Sequence, residues 1–362
     1  MQLSAVGLPV TDLDTPALLL DLDAFDRNVR TMADHFRARG VQWRPHAKAF
    51  KCPAIAHALR RAGAIGVTVA KVSEAEVMVA GGIDDILIAH LVVGPSKAAR
   101  LAALQRRANV KATVDHLAHL PHLAEAARQA GVEIGLLVDV GLGMDRTGVT
   151  SPEAAVALAR ALAETPGLRF DGLMGYEGHT LMIEDPDAKR LAILEALGRL
   201  MAAKHAVEAA GLPCRIVSAG GSGSYQYSAD VPGLTEIQAG GGVFACMYYI
   251  KGCRVLGHEP ALTVLATVVS LPKLGRAILD IGQKSISQHR QMPVLKDQSE
   301  HRVINLSAEH ATIALESGEP FQIGQKVEVI PGYSDLTFVL HDRVLAHRQG
   351  RIEAVWDLPG RG

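Results

Sequence analysis

The sequence predicts an α/β protein: a barrel of parallel strands followed by a mostly antiparallel β domain. Three observations carry that expectation. From about residue 40 to 250, short β-branched apolar runs alternate with Ala-, Leu- and Arg-rich stretches of helical spacing. Polar and Gly-rich residues fall repeatedly where the apolar runs end. After about residue 256 the helical period fades, and strand-like runs joined by short turns replace it.

The expected strands cover residues 41–46, 65–70, 85–90, 110–114, 134–139, 170–176, 214–218 and 235–238. Helices are expected over 53–62, 97–107, 117–130, 152–163 and 188–210, with stops at Gly63, Gly131, Gly167 and Gly211. Roughly eight βα units in series is the number that closes a parallel barrel. A doubly wound open sheet has the same local pattern; the repeat number and the polar strand ends favour the barrel. Segments 261–272, 275–282, 301–315, 325–335 and 336–358 read as the β domain. The run 16–21 is expected to lend it a strand before a first helix over 23–39. The domain expectation is therefore residues 15–255 for the barrel and 256–362 for the β domain, with residues 1–14 associated with the latter.

Composition narrows the function classes. With 37 Lys and Arg against 38 Asp and Glu, the formal net charge is -1, and no basic cluster points to nucleic acid. The longest apolar runs are too short to span a bilayer, and the first residues lack the charge and apolar pattern of a signal peptide. Cys52, Cys214, Cys246 and Cys253 have neither disulfide-framework nor zinc-like spacing. These features predict a cytoplasmic enzyme acting on a small molecule.

The stretch Arg44-Pro45-His46-Ala47-Lys48 is the most informative. As a strand end, its period of two sets Arg44, His46 and Lys48 on one face. A lysine partly desolvated at a barrel mouth has its pKa pushed down from about 10.4, which frees a neutral amine for covalent chemistry. Lys51 and Lys71 are competing candidates, and a solvated lysine is the bland alternative. The segment from Asp139 to Gly148 follows another strand, with Arg146 able to supply a fixed cation. Tyr176 could lie against a flat ligand, and His179 could serve as an acid–base group or only orient the site. Two Gly-rich loops, with Ser222, Gly223 and Ser224 in the first and Gln238, Gly240 and Gly241 in the second, follow the last two barrel strands. Phosphates are commonly held there. A phosphate cradle, an amine, an Arg and an aromatic face together describe a pyridoxal-phosphate (PLP) site.

PHAK at 45–48, AKVSEAEV at 70–77, DDILIAH at 84–90, GYEGH at 175–179, the GGSGS loop at 220–224 and TEIQAGGGVF at 235–244 resemble the D-threonine aldolase and eukaryotic-type D-serine dehydratase family. The likeness runs through nearly the whole chain. It implies the alanine-racemase-like fold (PLP fold type III), a C-terminal β domain and a head-to-tail homodimer. It further implies that Lys48 carries the cofactor as a Schiff base, with Arg146 and Tyr176 beside it and Ser222, Gly223, Ser224, Gly240 and Gly241 at the phosphate. Three departures stand out. The lysine motif continues as Ala49-Phe50-Lys51 in place of the usual Thr/Ala-His-Lys. The histidines usual after YEGH are replaced by Thr180-Leu181-Met182-Ile183. A C-terminal His-x-Cys or His-x-Asp metal pair is represented only by Asp335, with Tyr333 where the histidine belongs. A lone carboxylate is a poor site for Mn²⁺, Mg²⁺ or Zn²⁺, so a divalent metal is the weaker expectation.

The resemblance implies a lyase that cleaves D-3-hydroxy amino acids to glycine and an aldehyde, with His179 or another group as the base. The alternatives are a D-serine or 3-hydroxyaspartate dehydratase, an aldolase on an α-substituted substrate, or a metal-independent racemase. A racemase would use Lys48 and a tyrosine such as Tyr248 or Tyr249. A non-catalytic PLP carrier is the reading from another class, and the β domain counts against it. In the C-terminal part, His289, His310, His341 and Asp342 are candidates for either the site or the surface.

Overall fold

The structure, a computed structural model, describes residues 5–316 and 321–361. Residues 1–4, 317–320 and 362, which the expected domains include, lie outside the described residues. The described chain divides into two compact units. One comprises residues 5–32, 49–52, 241–316 and 321–361, the other residues 33–48 and 53–240.

Ala17–Asp21 (β1) runs into Leu22–Arg39 (α1). The turn between them is set by Asp21, whose Oδ1 accepts hydrogen bonds from the amides of Asp23 and Ala24 at 2.9 and 3.2 Å and so caps the helix.

The larger unit is the parallel one. Its strands are Gln42–Trp43 (β2), Val67–Val69 (β3), Asp85–Leu91 (β4), Asn109–Val114 (β5), Ile134–Val140 (β6), Leu168–Gly175 (β7), Ile216–Ala219 (β8) and Glu236–Ile237 (β9). They form an eight-stranded sheet in the order β2-β9-β8-β7-β6-β5-β4-β3. The two ends of that order also meet. His46 bridges Thr68 in parallel, and the amides of Ile65 and Thr68 donate to the carbonyls of Trp43 and Pro45. All seven residues of β6 are buried, as expected for a strand covered on both faces. The helices keep their sequence signals. Ser151 and Asp185 cap Pro152–Glu164 (13 residues) and Pro186–Ala209 (24 residues) through the amides of Ala154 and Ala188, and Pro begins each. Gly131, at φ 65°, ends the Leu120–Ala130 helix in the left-handed conformation.

The structure departs locally from the expected elements. Residues 41–46 do not form an unbroken strand: β2 stops at Trp43, and Lys48 lies on the 3-10 turn Ala47–Ala49, so period two does not orient it. The helix Val72–Ala80 was not expected. After β8 the chain makes only the single turn Tyr225–Ser228.

Charge seals the N-terminal ends of the barrel strands. Arg44, 3% exposed, places Nε 2.9 Å from both oxygens of Glu236 and Nη1 2.5 Å from Asp85 Oδ1. Lys111 Nζ lies 3.2 Å from the same Asp85 oxygen. Glu236 and Asp85 begin their strands, so two cations and two carboxylates neutralise one another at that end. Buried charge is tolerated only with this kind of pairing.

The other unit is built on a nine-stranded sheet. With β1 it contains Leu262–Ser270 (β10), Arg276–Leu279 (β11), Val294–Leu295 (β12), Arg302–Leu306 (β13), Ala311–Ala314 (β14), Lys326–Ile330 (β15), Arg343–Arg348 (β16) and Arg351–Asp357 (β17). Its pairings are antiparallel except β1 with β16. Leu19, Leu265, Leu345 and Ile352 share one core cluster there with Val10 and Leu13. Residues 336–338, expected in a strand, complete the helical turn Ser334–Phe338.

Candidate active site

The C-terminal ends of the barrel strands collect the candidate residues of the parallel unit. His46 is fixed by its amide, which donates to Gln238 O at 3.1 Å, and the amide of Lys48 turns back to His46 Nδ1 at 3.4 Å. Lys48 Nζ then lies 5.8 Å from the centre of the Tyr176 ring. The Arg146 guanidinium carbon lies 5.7 Å from the same centre. Both distances suit a cation at an aromatic ring. Of the competing lysines, Lys71 is exposed, and Lys51 belongs to the antiparallel unit, where its carbonyl accepts from the Gly360 amide.

Tyr176 occupies a slot that only glycines leave open. A Cβ at Gly178 would sit 2.5 Å from its Cε1, and one at Gly221 would sit 3.0 Å from its Cε2. A Cβ at Gly240 would stand 2.5 Å from the carbonyl oxygen of His46, so the second glycine loop touches the lysine segment directly.

The sequence reading passed over Glu177, the residue that holds the first glycine loop. Its side chain is fully buried. It accepts from Ser224 Oγ at 2.5 Å, Ser228 Oγ at 2.7 Å and the Gly220 amide at 3.3 Å. Ser224 also gives its amide to Gly221 O, so both of its donors are committed to shaping the loop. Ser222 is buried beside it. Gln238 donates from Nε2 to Ser218 Oγ at 2.8 Å, tying the two glycine loops together. Among the described residues, the amides of Gly223 and Gly240 have no acceptor, although both residues are buried. Buried amides lacking a partner are rare, and converging amides form an anion cradle. The signal for Glu177 was present in the sequence: a carboxylate between Tyr176 and Gly178 at a buried strand end needs several donors.

Asp139, near the end of β6, accepts from Thr147 Oγ1 at 2.8 Å. Burial pushes its carboxyl up to about 6, against the opposing pull of that hydrogen bond and of Arg146. Asp115, also passed over, accepts the Gly148 amide at 3.0 Å and so pins the loop that carries Arg146. A cavity of about 630 Å³ opens beside Arg146, Thr147, Asp115 and Arg199. His179 is exposed on the turn Gly178–Thr180. Its Nε2 would stand 3.5 Å from a Cβ at Gly143, which turns it toward the Arg146 loop.

In the β unit, Gly241 packs against the Tyr249 hydroxyl. Asp335, 8% exposed, accepts from Tyr333 Oη at 2.8 Å on Oδ2 and from Tyr249 Oη at 3.3 Å on Oδ1. Ser334 Oγ adds a third contact to Oδ1 at 3.3 Å. Tyr248 packs edge-on against Tyr333. His341 is tied to Ser285 O at 2.7 Å, and burial lowers its pKa. Asp342 pairs with Arg361 at the surface, and His310 is exposed.

Residues 20–247 match the family model described as Alanine racemase, N-terminal domain. Residues 261–347 match the one described as Putative serine dehydratase domain. A 3-hydroxy-D-aspartate aldolase from Paracoccus denitrificans is 34% identical over 98% of this chain and 94% of its own. A D-threonine aldolase from an Arthrobacter species is 36% identical over 98% of this chain and 95% of its own. The crystal structure of a D-threonine aldolase from Filomicrobium marinum, 38% identical, superposes with a TM-score of 0.95 over 99% of each chain. Likeness of this extent, spanning both the eight-stranded parallel sheet and the antiparallel sheet, makes the chain a member of the D-threonine aldolase and D-serine dehydratase family of alanine-racemase-like proteins.

Proposed function

We propose that this chain is a PLP-dependent lyase of D-3-hydroxy amino acids, cleaving the Cα–Cβ bond to leave glycine and an aldehyde. The observation that carries the reading is the convergence on Tyr176 of Lys48 and Arg146. The buried, unpaired amides of Gly223 and Gly240 fit a phosphate group. Bound PLP supplies an electron sink for negative charge at the substrate Cα.

The chain's own residues do the rest. Lys48 would hold the cofactor through Nζ, and its amine would accept or donate protons at that atom. Tyr176 gives the flat ligand a wall, and Arg146 provides a fixed positive charge. The loop at Gly220–Ser224, held by Glu177, presents the Gly223 amide to phosphate; Ser222 and Gly240 belong to the same cradle, and Gln238 braces it. His46 orients the lysine turn. His179 takes the proton of the substrate β-hydroxyl, which is the step that starts Cα–Cβ cleavage. A homodimer in the cytoplasm belongs to the same reading.

Purified wild type and Lys48→Ala provide the test. Wild type should show the visible absorbance of a lysine-bound cofactor and release glycine from D-threonine or 3-hydroxy-D-aspartate, whereas the variant should do neither. The proposal fails if the band survives in Lys48→Ala, or if wild type only inverts configuration at Cα. In that second case the racemase reading replaces it.

A further inference from the structure

Metal ions that assist hydroxyl chemistry require several anionic or imidazole donors converging on one point. The surroundings of Asp335 offer the opposite. Both carboxylate oxygens already accept phenol hydroxyls, Oδ2 from Tyr333 and Oδ1 from Tyr249. Neutral O–H groups pointing at a carboxylate present hydrogens where a cation would have to sit. The nearby sulfur is no better. Cys246 is fully buried and already bonds Ser334, next to Asp335. The His289 ring stands 5.9 Å from the Tyr333 ring, and its Nε2 accepts from the Arg290 guanidinium. That contact spends a ring nitrogen and places a positive charge beside it. No group of three His, Cys, Asp or Glu side chains comes together as a cation site among the described residues.

We infer that Tyr333 and Tyr249 close Asp335 as a phenol-capped carboxylate, so that this chain binds no divalent ion there and works without one. The inference concerns the donor set of the β unit. It therefore stands apart from the choice of substrate and reaction, although its activity arm rests on the lyase reading.

The decisive measurement is a Mn²⁺ titration of the holoenzyme followed by electron paramagnetic resonance, which needs no turnover. Wild type should leave the free-ion signal intact, without saturation, into the millimolar range. Tyr333→His restores an imidazole beside the carboxylate, and its affinity should rise by about tenfold or more. Dialysis against EDTA should leave wild-type glycine release unchanged. Saturable stoichiometric Mn²⁺ binding by wild type that Asp335→Asn abolishes would overturn the inference. A Tyr333→His protein that binds no better than wild type would overturn Tyr333 as the cause. If glycine release is absent while Mn²⁺ still fails to bind, the lyase reading is what has failed and the metal inference survives.

Discussion

Asp139 offers the most quantitative test of the site. It is 7% exposed, and burial raises its carboxyl from 3.8 to about 6. A group that holds its proton more tightly in the folded chain than in the unfolded one favours folding at low pH. Its contribution is complete below 3.8 and is lost as pH rises to about 6, then stays flat. The gap of about 2 pKa units corresponds to about 3 kcal/mol of destabilisation near neutrality. Asp139→Asn keeps an acceptor for the Thr147 hydroxyl and removes the charge. The variant should therefore be more stable than wild type by up to about 3 kcal/mol at about pH 8, and nearly equal to it at about pH 4. Urea unfolding followed by circular dichroism at both pH values, in one cofactor state, measures the difference. A stability gain independent of pH, or a loss at alkaline pH, would refute the reasoning. The same variant should also lower activity, because it removes the charge that faces Arg146.

Two further perturbations probe the glycine loops. Glu177→Gln can satisfy the two serine hydroxyls with its remaining oxygen, but its amide then faces the Gly220 amide, donor against donor. Stranding that buried group should cost about 2 kcal/mol and weaken PLP binding by about tenfold, read by unfolding and by cofactor titration. Wild-type values for both would show that Glu177 does not position the loop. Gly240→Ala drives a methyl against the backbone of His46, where no flexible side chain can yield. About 1–3 kcal/mol of strain should appear as a lowered melting temperature together with a diminished cofactor band, and an unchanged band would deny the contact between that loop and the lysine turn.

The parts of this protein that repeat were legible in the sequence. Strand β6 and the helix Pro152–Glu164 carry full periods, a cap and a Pro start, so both fall within a residue or two of expectation. The short strands were less readable. β2 has two residues, because a Pro45 that lacks an N–H and the 3-10 turn at Lys48 end the ladder early. Lys48 is singled out by its motif, whereas the face argument fails because the residue lies on a 3-10 turn. The residues missed at the site, Glu177 and Asp115, act through loop amides. Such partners are distant in sequence, as with Glu177 and Ser228: the residue type signals that donors are needed, but local sequence does not name them. Ser224, proposed at the phosphate, bonds Glu177 through its hydroxyl and Gly221 through its amide, contacts that residue type alone does not reveal.

The two ends of the barrel strands treat charge differently, and that difference explains where an anionic ligand would go. At the N-terminal ends, Arg44 and Lys111 meet Glu236 and Asp85, so cation and carboxylate cancel and the buried end is closed to ions. At the C-terminal ends, the buried carboxylate of Glu177 receives only neutral donors, two hydroxyls and an amide. Asp139 is pushed toward its neutral form as pH falls toward 6. Arg146 forms no salt bridge among the described residues and rests on Tyr176 instead. A guanidinium outside any salt bridge among the described residues, next to buried amides with nothing to accept their hydrogens, makes an end that favours a negative group. Ion pairs between cations and carboxylates thus belong to the N-terminal ends, and under the proposed function a phosphate group would sit at the other end.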